Sequence, residues 1–301
     1  MGWYPYPVDA DSKLIKSQLL IAGVKVHAYG LDNVTPPKAG ETKKVAALFV
    51  LHGRTNTHLF SGSIAHIIVD GRLKLDSNPE LPLVAFTIDL PNHGERAVDL
   101  CRNETGPVNP FEVIDLASMC NAAAYDVKNI LEYLPAYCPQ FDFVPYVLGT
   151  SMGGHIAFKL ASLVPLSGII DVVGAPDLAS LYYHRVINTP FSECAPGIYK
   201  KAYEELDLSE ESKKRYPKAL HESLSLSTKK YYSIAHGIPT FLVYGEKDNI
   251  VSPVYVSELE QLKGFPGTDI EVYSEPVGHT TTMSMIEAIK TWLYKRLDQA
   301  V

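Results

Sequence analysis

No stretch of the 301-residue chain approaches the roughly 20 apolar residues that a bilayer-crossing helix needs, so no membrane span is expected. The chain opens Met-Gly-Trp-Tyr-Pro-Tyr-Pro-Val-Asp, with neither a basic region leading into an apolar run nor a small-residue cleavage site. A secretory leader is therefore not expected, and the expected location is cytoplasmic. Myristoylation of Gly2 is not expected either, because Tyr6 stands where the motif asks for serine or threonine. Cysteine is scarce: Cys101, Cys120, Cys138 and Cys194 lie far apart, with no C-x-x-C pair. That spacing fits reduced, mostly buried thiols better than a disulfide frame or a zinc site. H-E-x-x-H, an EF-hand loop, a P-loop and a dinucleotide glycine fingerprint are absent too, so no metal and no cofactor is called for. Positive charge is not in excess. The formal net charge of −7, with no basic stripe interleaved with aromatics, makes nucleic acid an unexpected partner. The sequons at Asn33 and Asn103 lack an export signal beside them and read as chance matches.

Apolar residues are plentiful, at 46% against 20% charged, which is enough to bury a large core. Residues 16 to 31 read as a hairpin turning at Ala22-Gly23. Short runs of Val, Ile, Leu and Phe then recur at 45–51, 83–90, 143–148, 168–173, 240–244 and 269–273, the pattern of strands buried on both faces. Helical candidates fall near 59–70, 111–136, 152–163, 253–263 and 281–297. An antiparallel start followed by β-α alternation implies an α/β fold, with a mostly parallel central sheet and helices on both faces. Residues 1–301 are read as one domain. The segment from about 180 to 236 breaks the rhythm and is read as a small helical insertion or lid over the carboxyl edge of the sheet. Within it, 207–215 reads as a capped, solvated helix. Trp3, Tyr4 and Tyr6 alternate with prolines and are expected to pack on the hairpin or across the seam of a homodimer.

The strongest chemical signal lies at 143–155, where an apolar run ends in Gly149-Thr150-Ser151-Met152-Gly153 and passes straight into a helix-like segment. Serine at a tight strand-to-helix turn is pushed out of the sheet, and glycines flank it because a Cβ there would strike neighbouring backbone. Such a serine needs a general base and a group to orient that base. Asp248 lies just beyond the strand at 240–244, and His279 follows the next strand, which is the order acid then histidine that hydrolases with this elbow use. Asp177 is the rival acid, after the strand at 168–173. His52, His93 and His155 compete with His279, but of these only His279 follows both the acid and the last strand. His52 and His93 read as loop braces, and His155 either faces the pocket or packs.

With these residues in place, the chain resembles the α/β-hydrolase superfamily over nearly its whole length, the insertion apart. Leu51-His52-Gly53-Arg54 resembles the family's H-G oxyanion segment, which implies that the backbone N–H groups of Arg54 and Met152 form the oxyanion hole. Asp89-Leu90-Pro91-Asn92-His93-Gly94 is similar to the D-x-P-x-H-G loop of single-domain esterases related to dienelactone hydrolases and prolyl-oligopeptidase-type enzymes. Dienelactone hydrolases proper carry cysteine where this chain has Ser151, which favours an ordinary ester or a lactone. The resemblance implies a serine hydrolase acting on a small-molecule ester or lactone, with Ser151, Asp248 and His279 catalytic, and with activity that falls as acid protonates His279. A peptidase, amidase, thioesterase or acyltransferase would use the same three residues, and a ligand-binding protein of this fold remains the reading from another class. The Arg54 side chain is read either as a contact for an anionic or polar acyl group or as half of a surface ion pair.

Overall fold

The computed structural model describes residues 5–235 and 237–300. Strands β1 (Lys16–Ile21) and β2 (Val24–Tyr29) form the hairpin, with Ala22 and Gly23 at φ 50° and 77° making its tight turn. There follow β3 (Lys43–Leu51), α1 (His58–Leu75), β4 (Leu83–Thr87), α2 (Glu112–Tyr137), β5 (Phe141–Thr150), α3 (Met152–Ala161) and β6 (Gly168–Val172). Helices α4 (Leu178–Val186), α5 (Glu210–Arg215) and α6 (Lys218–Ile234) separate β6 from β7 (Thr240–Gly245). Helix α7 (Ser257–Glu260), β8 (Ile270–Glu275) and α8 (Met283–Gln299) follow. Among the described residues one sheet runs β1-β2-β4-β3-β5-β6-β7-β8, antiparallel at the two β2 pairings and parallel elsewhere. This is the α/β-hydrolase fold.

Both faces of the sheet are buried at β3, β4, β6 and β7, which explains why these strands show no polar alternation, whereas β2 alternates and β1 is largely exposed. In β3, Val45, Ala47, Phe49 and Leu51 face the layer of α2 and α3, whereas Ala46, Leu48 and Val50 face that of α1 and α8. Pro145 lies in β5, a central strand, yet removes no ladder donor. Its carbonyl accepts from Ser167 on the β6 side, so its nitrogen points the same way, and the β6 ladder begins one residue later with Gly168 opposite Tyr146.

Several sequence expectations need revision. The run at 83–90 leaves the ladder after Thr87, because its β3 pairing ends at Phe86 and its β2 pairing at Thr87. The candidate helix at 253–263 is a 3-10 turn, Pro253–Val256, then the single turn α7 and a series of tight turns ending at Gly264, whose φ of 85° cannot continue a helix. Of the cysteines, Cys120 and Cys138 are buried, but Cys101 is exposed on the 3-10 turn Leu100–Asn103 and Cys194 is half-buried; all four are free thiols. Tyr6 packs on α1 and the segment before α8 rather than on the hairpin: its N–H donates to Ser63 Oγ, its hydroxyl to the Thr281 carbonyl, and its ring leans on Phe60. Trp3 and Tyr4 lie outside the described residues. Residues 207–215 do contain a short exposed helix, α5, capped by Ser209. Among the described residues, no helix is long and apolar enough to cross a membrane.

Candidate active site

Ser151 stands between β5 and α3 at φ 54° and ψ −115°, a conformation that L-residues rarely adopt. The backbone is clamped there by Ser151 N–H to the Val172 carbonyl at 2.7 Å and Gly154 N–H to the Ser151 carbonyl at 2.8 Å. A Cβ at Gly149 would lie 2.0 Å from the Gly153 carbonyl oxygen, and one at Gly153 would lie 2.3 Å from that of Leu51. Only glycine at both positions lets α3 start this close to β3, and this closeness brings the His52-Gly53-Arg54 turn beside the serine.

His279, on the loop after β8, places Nε2 2.9 Å from Ser151 Oγ and Nδ1 2.6 Å from Asp248 Oδ2. The second oxygen of Asp248 accepts the N–H groups of Ile250 and Val251 at 2.8 and 2.9 Å, which fixes the carboxylate plane. With Asp248 accepting from Nδ1–H, Nε2 is left to accept from the serine hydroxyl. The Asp248 side chain is fully buried and that of His279 only 9% exposed, so water competes little for these bonds. Gly245 is part of the assembly although no motif marks it. A Cβ there would lie 2.3 Å from the Gly278 carbonyl oxygen and 2.5 Å from that of Val277, so its absence lets the histidine loop close on the end of β7. Lys247 N–H to the Val277 carbonyl, at 2.9 Å, joins the acid loop to the histidine loop.

The other candidates have structural partners. Asp177 caps α4, with Oδ1 accepting from Ser180 N–H and Oδ2 from Ser180 Oγ and Gly197 N–H. His52 directs Nδ1 to the Gly53 carbonyl and accepts the Leu90 N–H at Nε2, tying the turn at Arg54 to the loop after β4. Burial depresses its pKa to about 3, so it stays neutral. His93 contacts the Pro91 carbonyl, and His155, also pushed to about 3 by burial, contacts Ala175. In the Asp89–Gly94 loop, Asp89 accepts from His58 and Glu95. Burial pushes its carboxyl up, but these bonds outweigh it and hold the group well below the usual range. Gly94, at φ 52°, passes where a Cβ would enter that carboxylate. The amides of Asn33 and Asn103 are engaged with backbone carbonyls.

Met152 is the first residue of α3, where a helix leaves its N–H groups without intrahelical acceptors, and Arg54 presents its backbone in the turn after β3. Both residues line a cavity of about 230 Å³ with Ser151 and His279. The Arg54 side chain is not part of a surface pair. It is 18% exposed and bonds at 2.8 Å to Glu112, which is 3% exposed and is also reached by Arg185 at 3.3 Å. Neither Glu112 nor Arg185 carries a sequence signal, because the three residues come from separate elements. Among the described residues, no group of three or more His, Cys, Asp or Glu is placed to hold a metal ion.

Solved structures share this fold over nearly the full chain. The protein TT1662 from Thermus thermophilus aligns over 95% of this chain and 98% of its own, with a TM-score of 0.59 at 16% identity. The esterase Pf2001 from Pyrococcus furiosus aligns over 98% of both chains, with 0.56 at 18% identity. The acylaminoacyl peptidase from Pyrococcus horikoshii aligns over 95% of this chain and 41% of its own, with 0.57 at 11% identity. No protein-family model and no curated protein sequence matches this chain.

Proposed function

We propose that the chain is a serine hydrolase that cleaves a small carboxylic ester or lactone through an acyl-enzyme. The observation that carries this reading is the hydrogen-bonded series Ser151 Oγ, His279 and Asp248, on a serine held at positive φ. His279 Nε2 takes the hydroxyl proton as Ser151 Oγ bonds to the substrate carbonyl carbon. The imidazolium then gives that proton to the departing alkoxide, and water repeats the sequence to release the acid. Asp248, held by Ile250 and Val251, fixes the imidazole tautomer and stabilises its positive form. The backbone N–H groups of Arg54 and Met152 take the oxyanion, each on the order of a few kcal/mol. That the esterase Pf2001 shares the fold is in keeping with an ester as substrate.

The test exposes wild type and Ser151→Ala to a fluorophosphonate probe, read by intact mass, with hydrolysis of 4-nitrophenyl acetate and butyrate alongside. Labelling and turnover in the wild type, both lost in Ser151→Ala, are expected. A folded wild type that does neither would overturn the proposal.

A further inference from the structure

Two cavities meet beside Ser151. The inner one, about 230 Å³, holds Ser151 and His279, and the outer one, about 750 Å³, extends toward His184 and Tyr255. Arg54 and Arg185 line both.

The wall they share carries more positive charge than its acid balances. Glu112 Oε1 receives Arg54 Nη1 at 2.8 Å and Arg185 Nη1 at 3.3 Å, and its Oε2 is occupied by the Gly106 N–H at 3.0 Å. One carboxylate oxygen thus serves two guanidinium groups, and neither pair is the two-bond fork by which a carboxylate satisfies an arginine. Arg185 adds a bond to the Ile250 carbonyl at 3.3 Å and stacks over Tyr182. Both arginines border the two cavities. Arg215 adds a third positive group to the outer lining, and the other acid in the lining, Glu104, is exposed to solvent. Burial disfavours the charged forms of His155 and His184, also in the lining. An arginine pair sharing one carboxylate holds a net positive charge where solvent screening is reduced, and an anion entering there interacts more strongly than at the open surface.

Resting on the hydrolase reading above, we propose that Arg54 and Arg185 form a carboxylate-recognition subsite, so that the preferred substrate is a small ester bearing a carboxylate a few bonds from its scissile carbonyl. The inner cavity falls below the range typical of drug-sized ligands, which restricts the group that enters it to a short one.

The experiment reads binding and turnover separately. Glutarate is titrated calorimetrically into wild type, Arg185→Gln, Arg185→Lys and Glu112→Gln, with folding checked by circular dichroism. Wild type binds glutarate; Arg185→Gln weakens it about tenfold or more, as loss of a charge-assisted bond requires, and Arg185→Lys falls between. Glu112→Gln tightens it, because the competing carboxylate is gone. For turnover, kcat/KM for 4-nitrophenyl hemiglutarate over 4-nitrophenyl butyrate tests a carboxylate on the acyl half, and 4-(butyryloxy)benzoate over phenyl butyrate tests the alcohol half. At least one ratio is expected to fall about tenfold in Arg185→Gln. Glutarate affinity that is absent in wild type, or unchanged in Arg185→Gln and Arg185→Lys, overturns the subsite, even if neutral esters are cleaved and the hydrolase reading stands. Glutarate bound through Arg185 with no ester cleaved and no fluorophosphonate labelling leaves the subsite standing and removes the hydrolase reading.

Discussion

Ser151 keeps a backbone conformation that costs on the order of 1–3 kcal/mol in isolation, and it does so because the residues around it leave no alternative packing. Gly153 is the clearest of these: a Cβ would stand 2.3 Å from the Leu51 carbonyl oxygen, and both atoms belong to backbone that cannot rotate away. Gly153→Ala is therefore expected to lower stability by about 3 kcal/mol or more and to abolish fluorophosphonate labelling. Wild-type labelling together with a wild-type urea midpoint would contradict this. The two aspartates are separated by a second measurement. Asp248→Asn should slow labelling by roughly 10³-fold or more, through the wrong imidazole tautomer. Asp177→Asn should stay within about threefold in labelling while lowering Tm by a few degrees, because it disturbs the α4 cap. If the effects were exchanged, Asp177 would be the acid. Ser151, Asp248 and His279 were legible as candidates because each lies shortly after an apolar run, and such runs can be read from local pattern. Glu112 was not, since a glutamate in the first turn of a helix looks like any solvated one until the loop at Gly106 and two arginines close over it.

At the scale of elements, the strand-helix alternation was readable from apolar runs, and the turns were readable from Gly and Pro. Boundaries depended on partners: β4 stops where its pairings with β2 and β3 end, whatever its own hydrophobicity, and the helix expected at 253–263 breaks into single turns. The junction of β7 and β8 shows how a contact between elements controls the site. Gly245 has the Gly278 and Val277 carbonyl oxygens where its Cβ would be, so the loop bearing His279 sits directly on the end of β7. In Gly245→Val this loop must lift, and His279 leaves hydrogen-bond range of Ser151. A kcat loss of roughly 100-fold or more is expected, with the far-ultraviolet circular dichroism retained. Unchanged turnover would show that the loop finds its place without that close approach.

For the molecule as a whole, the buried titratable groups define a window of stability. His52 and His155 lie near pKa 3 in the fold against 6.5 ordinarily, so as pH falls through 6.5 the unfolded chain takes their protons first and stability declines toward acid. Asp171, buried in β6 against Gly154 and Gly174, is pushed by burial from 3.8 to about 8, with the Gly174 N–H opposing. The fold holds a proton there that the unfolded chain has released, so stability declines as pH rises from about 4 to about 8. Below pH 6.5 the two histidines outweigh the one acid, and above it the acid acts without their opposition. Among these groups the balance places the maximum near pH 6.5, with Asp171 removing about 2 kcal/mol by pH 8. Urea unfolding at the two pH values should show that loss in wild type and little of it in Asp171→Asn. Equal losses in both proteins would mean that Asp171 is not the group responsible.

The order of elements, the glycine-flanked elbow and the succession of serine, acid and histidine are properties of short stretches, readable before any contact is known, because burial and tight turns leave local signatures in residue type. The sharing of Glu112 between Arg54 and Arg185, the approach of Gly245 to the histidine loop and the burial of Asp171 between two glycines join residues far apart in the chain. These emerge on folding, because which charges share a carboxylate, and which backbone atoms touch, depends on how separate elements pack rather than on what any one of them contains.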